Sequence, residues 1–512
     1  MASTKNYRNF ILEQLSILDD ISYKPMIGEY LLYYKGILFG GIYDDRLLVK
    51  VTNTNSKYNM EQVIPYKNAK TMYLVDDVEN IELLKDIVLD TCNDLNNKEW
   101  FKLKKLIVGQ SGGPTSVINA SLAGVYYEGK KKGFKVYGML NGIEGLLAEK
   151  IIDLDEYFSD PNNLELLKRT PSSFLGTCRF KMGSPEKNKE NYEKVFKILD
   201  KHSIDSFIYI GGNDSMDTIE SLSDYAKDHN KKQNFIGVPK TIDNDLPITD
   251  HCPGFGSACK YIATTLREVI QDNNCYGNTK PTVAVVEIMG RHAGWLTSAA
   301  ALAKDSSCDG VDAIYLPEIP FDVDDFIEDI KEKLKKKSSL VIAVSEGIKT
   351  KDDKFICEIA NSNLRVDSFG HKELVGCADV LCRIITERLD VKNRAITLAT
   401  LQRAAAHLAS KTDLDEAYHC GMKGADLAYK GESGKMVYIN RISTNPYKVK
   451  YEVFDDIHKI ANIEKKIPIE WIDVDNKYVK EELVNYLRPL IQGEVKQIYK
   501  NGLPQHITLK KD

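Results

Sequence analysis

The chain reads as an α/β protein in two parts: a small α+β module over residues 1–97, and a larger unit over 98–512 built on mostly parallel sheet. Three observations predict this. From Leu106 onward, short apolar runs recur, each ending in a glycine-bearing or polar loop that leads into a helical pattern. Repetition of that unit produces parallel strands joined by crossover helices, which cover both faces of the sheet. The first hundred residues lack this rhythm and show strands separated by two-residue turns.

The module begins with Tyr7–Leu18, spaced as an amphipathic helix. Strands at Tyr30–Tyr34, Ile37–Tyr43 and Arg46–Val51 follow, parted by Lys35-Gly36 and Asp44-Asp45, as in an antiparallel meander. A helix near Asn80–Leu95 closes the module, and the polar stretch Asn93–Lys98 reads as a linker. No nucleophile, base or metal cluster stands out in this part.

Beyond the linker, Leu106-Ile107-Val108-Gly109 is a buried strand running into Gln110-Ser111-Gly112-Gly113-Pro114. Phe207–Ile210 runs into Gly211-Gly212-Asn213-Asp214-Ser215. Ser215 is expected to cap a helix with the inner stripe Met216, Ile219, Leu222 and Ala226. Phe235–Val238 leads to Pro239-Lys240-Thr241-Ile242-Asp243-Asn244-Asp245. Val283–Ile288 leads to Met289-Gly290-Arg291, and Leu340–Val344 to Ser345-Glu346-Gly347. Ligands of parallel sheets sit at the carboxyl ends of the strands, so these five loops are expected to converge.

Composition excludes several function classes. A net charge of −5, with lysine runs only at Lys130–Lys132 and Lys335–Lys337 and no interleaved aromatics, argues against nucleic acid and membrane surfaces as partners. Both runs read as solvated helix ends. Ten cysteines show no Cys-x-x-Cys pair and nine histidines no His-Glu-x-x-His, so neither zinc nor disulfides are indicated. Met1–Asn6 lacks the apolar core of a signal peptide, and a reducing cytoplasm is the expected location.

The chemistry is concentrated in two loops. A strand–Gly-Gly–helix junction lets backbone approach a ligand closely and aims helix N–H groups at an anion. The Lys240–Asp245 segment packs a lysine and two carboxylates into a short span after a turn-forming proline. Taken alone, the glycine pair also reads as a plain βα turn, and Asp243 with Asp245 as an Asx-turn pair capping a helix.

Seven segments in order remove that ambiguity: Ser111-Gly112-Gly113, Gly176-Thr177-Cys178-Arg179, the Gly211 turn, Thr241–Asp245, Met289-Gly290-Arg291, Ser345-Glu346-Gly347 and Leu401-Gln402-Arg403. Together they resemble the phosphofructokinase family over roughly residues 103–511, and its pyrophosphate-using branch in particular. The resemblance implies a phosphofructokinase-like fold of two doubly wound, Rossmann-like lobes. It also implies reversible phosphorylation of fructose 6-phosphate at the 1-hydroxyl, a step of glycolysis and gluconeogenesis.

Roles follow from the same resemblance. Asp243 is the implied general base. Gly112, Gly113 and Arg179 bind the donor. Thr241, Asp243, Asp245, Met289, Gly290, Arg291, Glu346 and Arg403 bind the sugar, with Arg403 reaching an adjacent subunit in relatives, which implies a homodimer or homotetramer. Asp214 and Lys240 stand where ATP-using relatives carry glycine. An aspartate there adds bulk and charge against an α-phosphate, and a lysine adds a point cation suited to free pyrophosphate.

The chain departs from the family in three places. Asn213 occupies the position of the metal-shell aspartate and is a weak ligand for the implied Mg²⁺, with Asp214 or Asp243 as alternative ligands. Gln402-Arg403-Ala404 replaces a run of glycines. Thr282 stands where ATP enzymes carry an arginine donated across an interface, with Lys280 close by. The competing readings are an ATP-dependent 6-phosphofructokinase, a kinase of another substrate, and a non-catalytic regulatory fusion. Residues 1–97 separately resemble the TfoX N-terminal-domain family, through Pro25–Tyr30 and Phe39-Gly40-Gly41-Ile42-Tyr43-Asp44-Asp45.

Overall fold

The computed structural model describes residues 3–26, 28–66, 69–96, 104–275, 280–359, 376–459 and 464–510. The chain divides into two compact units, Met1–Leu103 and Lys104–Asp512.

In the first unit the opening helix spans Lys5–Gln14, capped by Thr4, whose Oγ1 accepts from the Tyr7 amide at 3.1 Å. It tightens into a 3₁₀ turn at Leu15–Ile17, so the expected helix begins two residues early and its last turn is not α. Six strands follow: β1 (Ile21–Met26), β2 (Glu29–Tyr34), β3 (Ile37–Ile42), β4 (Leu47–Lys50), β5 (Gln62–Val63) and β6 (Met72–Leu74). They form one antiparallel sheet in the order β1-β2-β3-β4-β6-β5. The meander β2-β3-β4 is as expected, while β1, β5 and β6 were not anticipated. Helix Ile81–Asn96 closes the unit over a core that includes Ile11, Leu15, Leu32, Phe39, Leu47 and Val88. Residues 93–96 belong to that helix, and the rest of the expected linker lies outside the described residues.

The second unit contains two principal sheets. The larger uses β7 (Lys105–Gln110), β8 (Lys135–Met139), β9 (Ile151–Asp153), β10 (Ser206–Gly211), β11 (Asn234–Pro239), β16 (Lys435–Thr444) and β17 (Tyr447–Phe454). Its order is β17-β16-β11-β10-β7-β8-β9. The central pairs are parallel, and only the edge strands β9 and β17 run antiparallel. The smaller sheet is wholly parallel, in the order β13-β14-β12-β15, from β12 (Thr282–Ile288), β13 (Ala313–Tyr315), β14 (Ser339–Ser345) and β15 (Lys392–Thr397).

Each sheet is covered on both faces. Helices Ile118–Lys131 and Lys411–Tyr429 pack one face of the larger sheet around Leu122, Val125, Ile208 and Cys420. Helices Lys189–His202 and Asn213–Asp228 pack the other around Phe196, Tyr209, Ile219 and Leu222. Phe255–Asn274 covers one face of the smaller sheet, and Val323–Leu334 with Cys377–Arg388 the other. This is the double winding expected of an α/β fold. The chain reverses direction across the larger sheet between β7 and β10, leaving a crevice beyond their carboxyl ends. All ten cysteines are free.

Candidate active site

The loops after β7, β10, β11, β12 and β14 open onto a single cleft of about 330 Å³. Ser111, Gly112, Gly113, Arg179, Asn213, Asp214, Lys240, Thr241, Asp243, Asp245, Met289, Gly290, Arg291 and Glu346 all line it. Every sequence-predicted site residue is among them except Arg403. That side chain stands just behind the lining, with its Nη1 3.2 Å from where a Cβ on Gly113 would lie.

The donor side is built on glycine. Gly112 has φ +75°, in the left-handed region, and a Cβ there would come within 3.2 Å of Lys240 Nζ. The Thr177 hydroxyl donates to the Gly112 carbonyl at 2.7 Å, and Lys240 Nζ donates to the Gly113 carbonyl at 2.9 Å. Lys240 is only 2% exposed, and burial lowers its pKa to about 8, against the opposing pull of Asp243 and Asp245. Its amide donates to the Gly211 carbonyl at 2.9 Å, which ties this loop to the neighbouring glycine turn.

That neighbouring turn corrects one expectation. The helix starts at Asn213 with Gly212 as N-cap, not at Ser215. Ser215 instead turns its hydroxyl inward against Gly211, where a Cβ would meet it at 1.8 Å. Asp214, on the first turn, is partly exposed, and its Oδ1 pairs with Lys181 Nζ at 3.3 Å. Its charge is therefore balanced by a residue that sequence reasoning passed over. The available signal was spacing: Lys181 lies two residues after Arg179 on a non-helical segment, so the two side chains can share a side.

The acidic side centres on the turn after β11. Thr241 Oγ1 accepts from the Asp243 amide at 3.1 Å and donates to Asp243 Oδ2 at 3.3 Å, fixing that carboxylate within the turn. The turn caps no helix, which disposes of the plainer reading. Burial raises the Asp243 pKa, while Lys240, Thr241, Arg291 and Arg403 hold it down. Burial and the Asp243 charge lift Asp245 to about 7, and burial brings Glu346 to about 7. Glu346 Oε1 accepts from the Gly290 amide at 3.3 Å, and Gln402 Oε1 accepts from the Met289 amide at 3.3 Å, so β12, β14 and the Leu401–Ala404 turn are stitched together. Arg403 is half-buried near Arg179 and Asp243, and both this partial burial and the Arg179 charge lower its pKa.

A family model described as Phosphofructokinase matches residues 105–427. Proteins named pyrophosphate–fructose 6-phosphate 1-phosphotransferase from Methylococcus capsulatus and Xanthomonas campestris are each 40% identical to this chain. The alignments cover 78% and 79% of it, and 94% and 96% of those relatives. A crystal structure of a pyrophosphate-dependent phosphofructokinase from Nitrosospira multiformis superposes with a TM-score of 0.72 at 37% identity, covering 80% of this chain and 97% of that one. The chain belongs to the phosphofructokinase family.

Membership accords with the doubly wound fold and with the order in which the phosphofructokinase motifs reach the cleft. Two further observations concern residues outside those motifs. Lys280 pairs with Asp390 at 2.5 Å, away from the cleft. His292 and Glu464 also line the cleft, and neither had been singled out from the sequence. Nothing local marks Glu464, which arrives from the distant C-terminal part of the chain.

Proposed function

We propose that the larger unit transfers a phosphoryl group from pyrophosphate to the 1-hydroxyl of D-fructose 6-phosphate, reversibly, giving fructose 1,6-bisphosphate and phosphate. The observation that carries the reading is Lys240. Its ammonium is buried among the Gly112 and Gly113 backbone groups and faces Asp243 and Asp245, so a compact anionic donor meets a fixed cation where a nucleotide would need space. Asp214 and Lys181 bridge the outer part of the donor side and add bulk there.

The chemistry follows from charge and position. Phosphoryl transfer requires in-line placement, neutralisation of spreading negative charge and an acceptor for the hydroxyl proton. Arg179 and Lys240 meet the charge on the donor. Asp243, held by Thr241 and raised by burial, takes the proton from the sugar 1-hydroxyl as that oxygen bonds to phosphorus. The bridging P–O bond breaks and phosphate leaves. Glu346, Arg291 and Arg403 hold the sugar hydroxyls and its 6-phosphate.

Mg²⁺ fits the acidic side of the cleft. Asp243 and Asp245 bring carboxylate oxygens, the donors that Mg²⁺ takes, into the cleft, while Asn213 Nδ2 donates to Asp245 Oδ2 at 3.5 Å and Asn213 Oδ1 is without a hydrogen-bond partner. The ion, when bound, supplies neutralisation of the phosphate oxygens. Asp214, turned to Lys181, is the less suited of the alternative ligands.

A homodimer or homotetramer in the cytoplasm is part of this reading and rests on family resemblance. So does the assignment of the first unit as a TfoX N-terminal-like module. That assignment is supported by an antiparallel sheet in which a Cβ on Gly40 would stand 2.3 Å from the Leu48 carbonyl, so the strands need glycine to pair. Among the described residues, no helix is long and apolar enough to cross a membrane.

The test is a coupled assay of fructose 1,6-bisphosphate formation by the full chain, with pyrophosphate and ATP as rival donors. Turnover with pyrophosphate at least a hundredfold above ATP in kcat/KM supports the reading, an expected margin of about 3 kcal/mol. Turnover with ATP alone refutes it.

A further inference from the structure

The turn that carries the proposed base is held from behind by the C-terminal part of the chain. Asn244, between Asp243 and Asp245, is fully buried and has φ +55°, a left-handed conformation that asparagine tolerates better than most residues. Both ends of its side chain are used. Asn244 Oδ1 accepts from the Cys252 amide at 3.0 Å, and Nδ2 donates to the Tyr486 hydroxyl at 2.9 Å. That hydroxyl in turn donates to the Asp250 carbonyl at 2.6 Å. Burial, followed by the Asp250 charge, raises the Tyr486 pKa, so the proton this donation needs stays in place.

Tyr486 is itself fixed on every side. It lies on helix Glu481–Leu487, with its ring centroid 5.4 Å from that of Trp295 and 5.7 Å from that of Trp471. The Arg441 guanidinium, from β16, stands 4.6 Å from the ring centroid, and Arg441 Nη1 donates to the Tyr486 carbonyl at 3.0 Å. Lys465 adds a second tie to the same turn. Its amide donates to the Asp245 carbonyl at 2.7 Å, and its Nζ to the Asp250 carbonyl at 2.8 Å.

These bonds say what removing the hydroxyl would do. The Asp250 carbonyl would keep Lys465 Nζ, but Asn244 Nδ2, sealed from water, would lose its acceptor. A buried donor left unpaired is costly, and the turn relieves that cost by shifting. Asp243 shifts with it. A general base works only within hydrogen-bond reach of its proton, and a displacement of about 1 Å costs about 10²-fold in rate.

We propose that Tyr486 is a positioning residue for phosphoryl transfer: through Asn244 its hydroxyl holds the Asp243–Asp245 turn where Asp243 meets the sugar 1-hydroxyl. This rests on the pyrophosphate reading for the role of Asp243, while the hold on the turn can be measured without turnover.

Tyr486→Phe keeps the ring and removes only the hydroxyl. In the full chain, kcat with pyrophosphate and fructose 6-phosphate should fall about tenfold or more, with both KM values within about twofold of wild type. Asn244→Gly keeps the left-handed backbone but leaves nothing for the tyrosine to hold. It should show a kcat loss of similar size, and adding Tyr486→Phe to it should change kcat by less than about twofold. Leu483→Ala, in the same helix, removes buried apolar packing only, and should lower Tm without lowering kcat. Amide hydrogen exchange over residues 240–246 should quicken in Tyr486→Phe and stay as in wild type in Leu483→Ala. A kcat within about twofold of wild type in Tyr486→Phe, or in Asn244→Gly should the first variant not fold, overturns the proposal. So does an equal loss from Tyr486→Phe in both backgrounds, which would route its effect around Asn244, or a raised sugar KM with unchanged kcat. If the wild type turns over neither pyrophosphate nor ATP, the proposed function falls. The exchange measurement then decides the hold on the turn: faster exchange in Tyr486→Phe supports it, and unchanged exchange overturns it.

Discussion

Residues 3–96 and residues 104–510 are each organised around sheet, but they distribute their loops differently. The six strands of the first unit are antiparallel, so successive turns alternate between opposite edges. In the second unit, β7, β10, β11, β12 and β14 belong to parallel ladders, and the loops that follow them all leave from carboxyl ends. Glycine admits different neighbours in the two regions. Gly40 is closed in by the Leu48 carbonyl and lets strands approach, whereas Gly112 and Gly113 let the charged ends of Lys240 and Arg403 come close, each 3.2 Å from where a Cβ would lie. Strand polarity decides whether separated sequence segments can pool their chemistry. An antiparallel meander offers stability and surface, and a parallel sheet offers a shared edge.

If that contrast is right, damage to the shared edge should be catastrophic for turnover and damage to the meander should not. The largest effect is expected at Asp243. Asp243→Ser should lower kcat by about 10²–10⁴ while KM changes by a small factor, the range for losing a general base. Steady-state kinetics with both substrates varied would show this, and a variant keeping half of the wild-type kcat would remove Asp243 from that role.

The donor side comes next. Lys240→Gly should reduce pyrophosphate kcat/KM by about 10²-fold, the loss of one buried charge-assisted contact of about 3 kcal/mol. Asp214→Gly should raise ATP-dependent kcat/KM from background to measurable, and the double variant should invert the donor ratio without full rate, since the pocket was never shaped for a nucleoside. ATP use that stays at background in all three would place the exclusion in pocket shape elsewhere.

A third prediction concerns the frame behind the edge. His251 is buried between Asp250 and Glu416, at 2.7 and 2.6 Å. Burial pushes its pKa down, but Glu416 and Asp250 more than offset this and raise it to about 9. A raised cation stabilises fully below the ordinary value near 6.5 and loses that contribution as pH climbs through the folded value. Unfolding free energy of the larger unit should therefore fall by about 3 kcal/mol between pH 6.5 and 9. Glu416→Gln should flatten that slope in denaturant titrations; an unchanged slope would mean that His251 is not the group responsible.

The smallest catalytic effect belongs to the meander. Leu32→Ala should destabilise the first unit by about 2–5 kcal/mol, as for a fully buried leucine, while kcat moves by less than twofold. Removal of residues 1–98 should likewise leave a pyrophosphate-using enzyme. A soluble, correctly folded remainder without activity would erase the contrast between the units.

How far the fold could be read depended on the kind of strand. The five loop-bearing strands of the second unit are buried on both faces and appear as unbroken apolar runs. β1 escaped notice because most of it is exposed and it contains Pro25, and β5 because two residues make no pattern. The helix after Gly212 was placed three residues late. Serine is a favoured cap, and only the packing of Ser215 against Gly211 reveals that it lies inside the helix.

By itself the sequence determined which residues would share the cleft. Parallel strands put their carboxyl ends on one side, and the ordered motifs that resemble those of phosphofructokinases say which side chains stand there. Tertiary structure alone decided what each of those groups experiences. The burial that moves Lys240, Asp245 and Glu346 toward neutrality is a collective effect of every neighbour that excludes water. The pairing of Asp214 with Lys181, the placement of Arg403 near Arg179 and Asp243, and the bond from the Lys465 amide to the Asp245 carbonyl join positions that no local pattern relates. Such contacts depend on how packed layers meet, and that is set by the whole core.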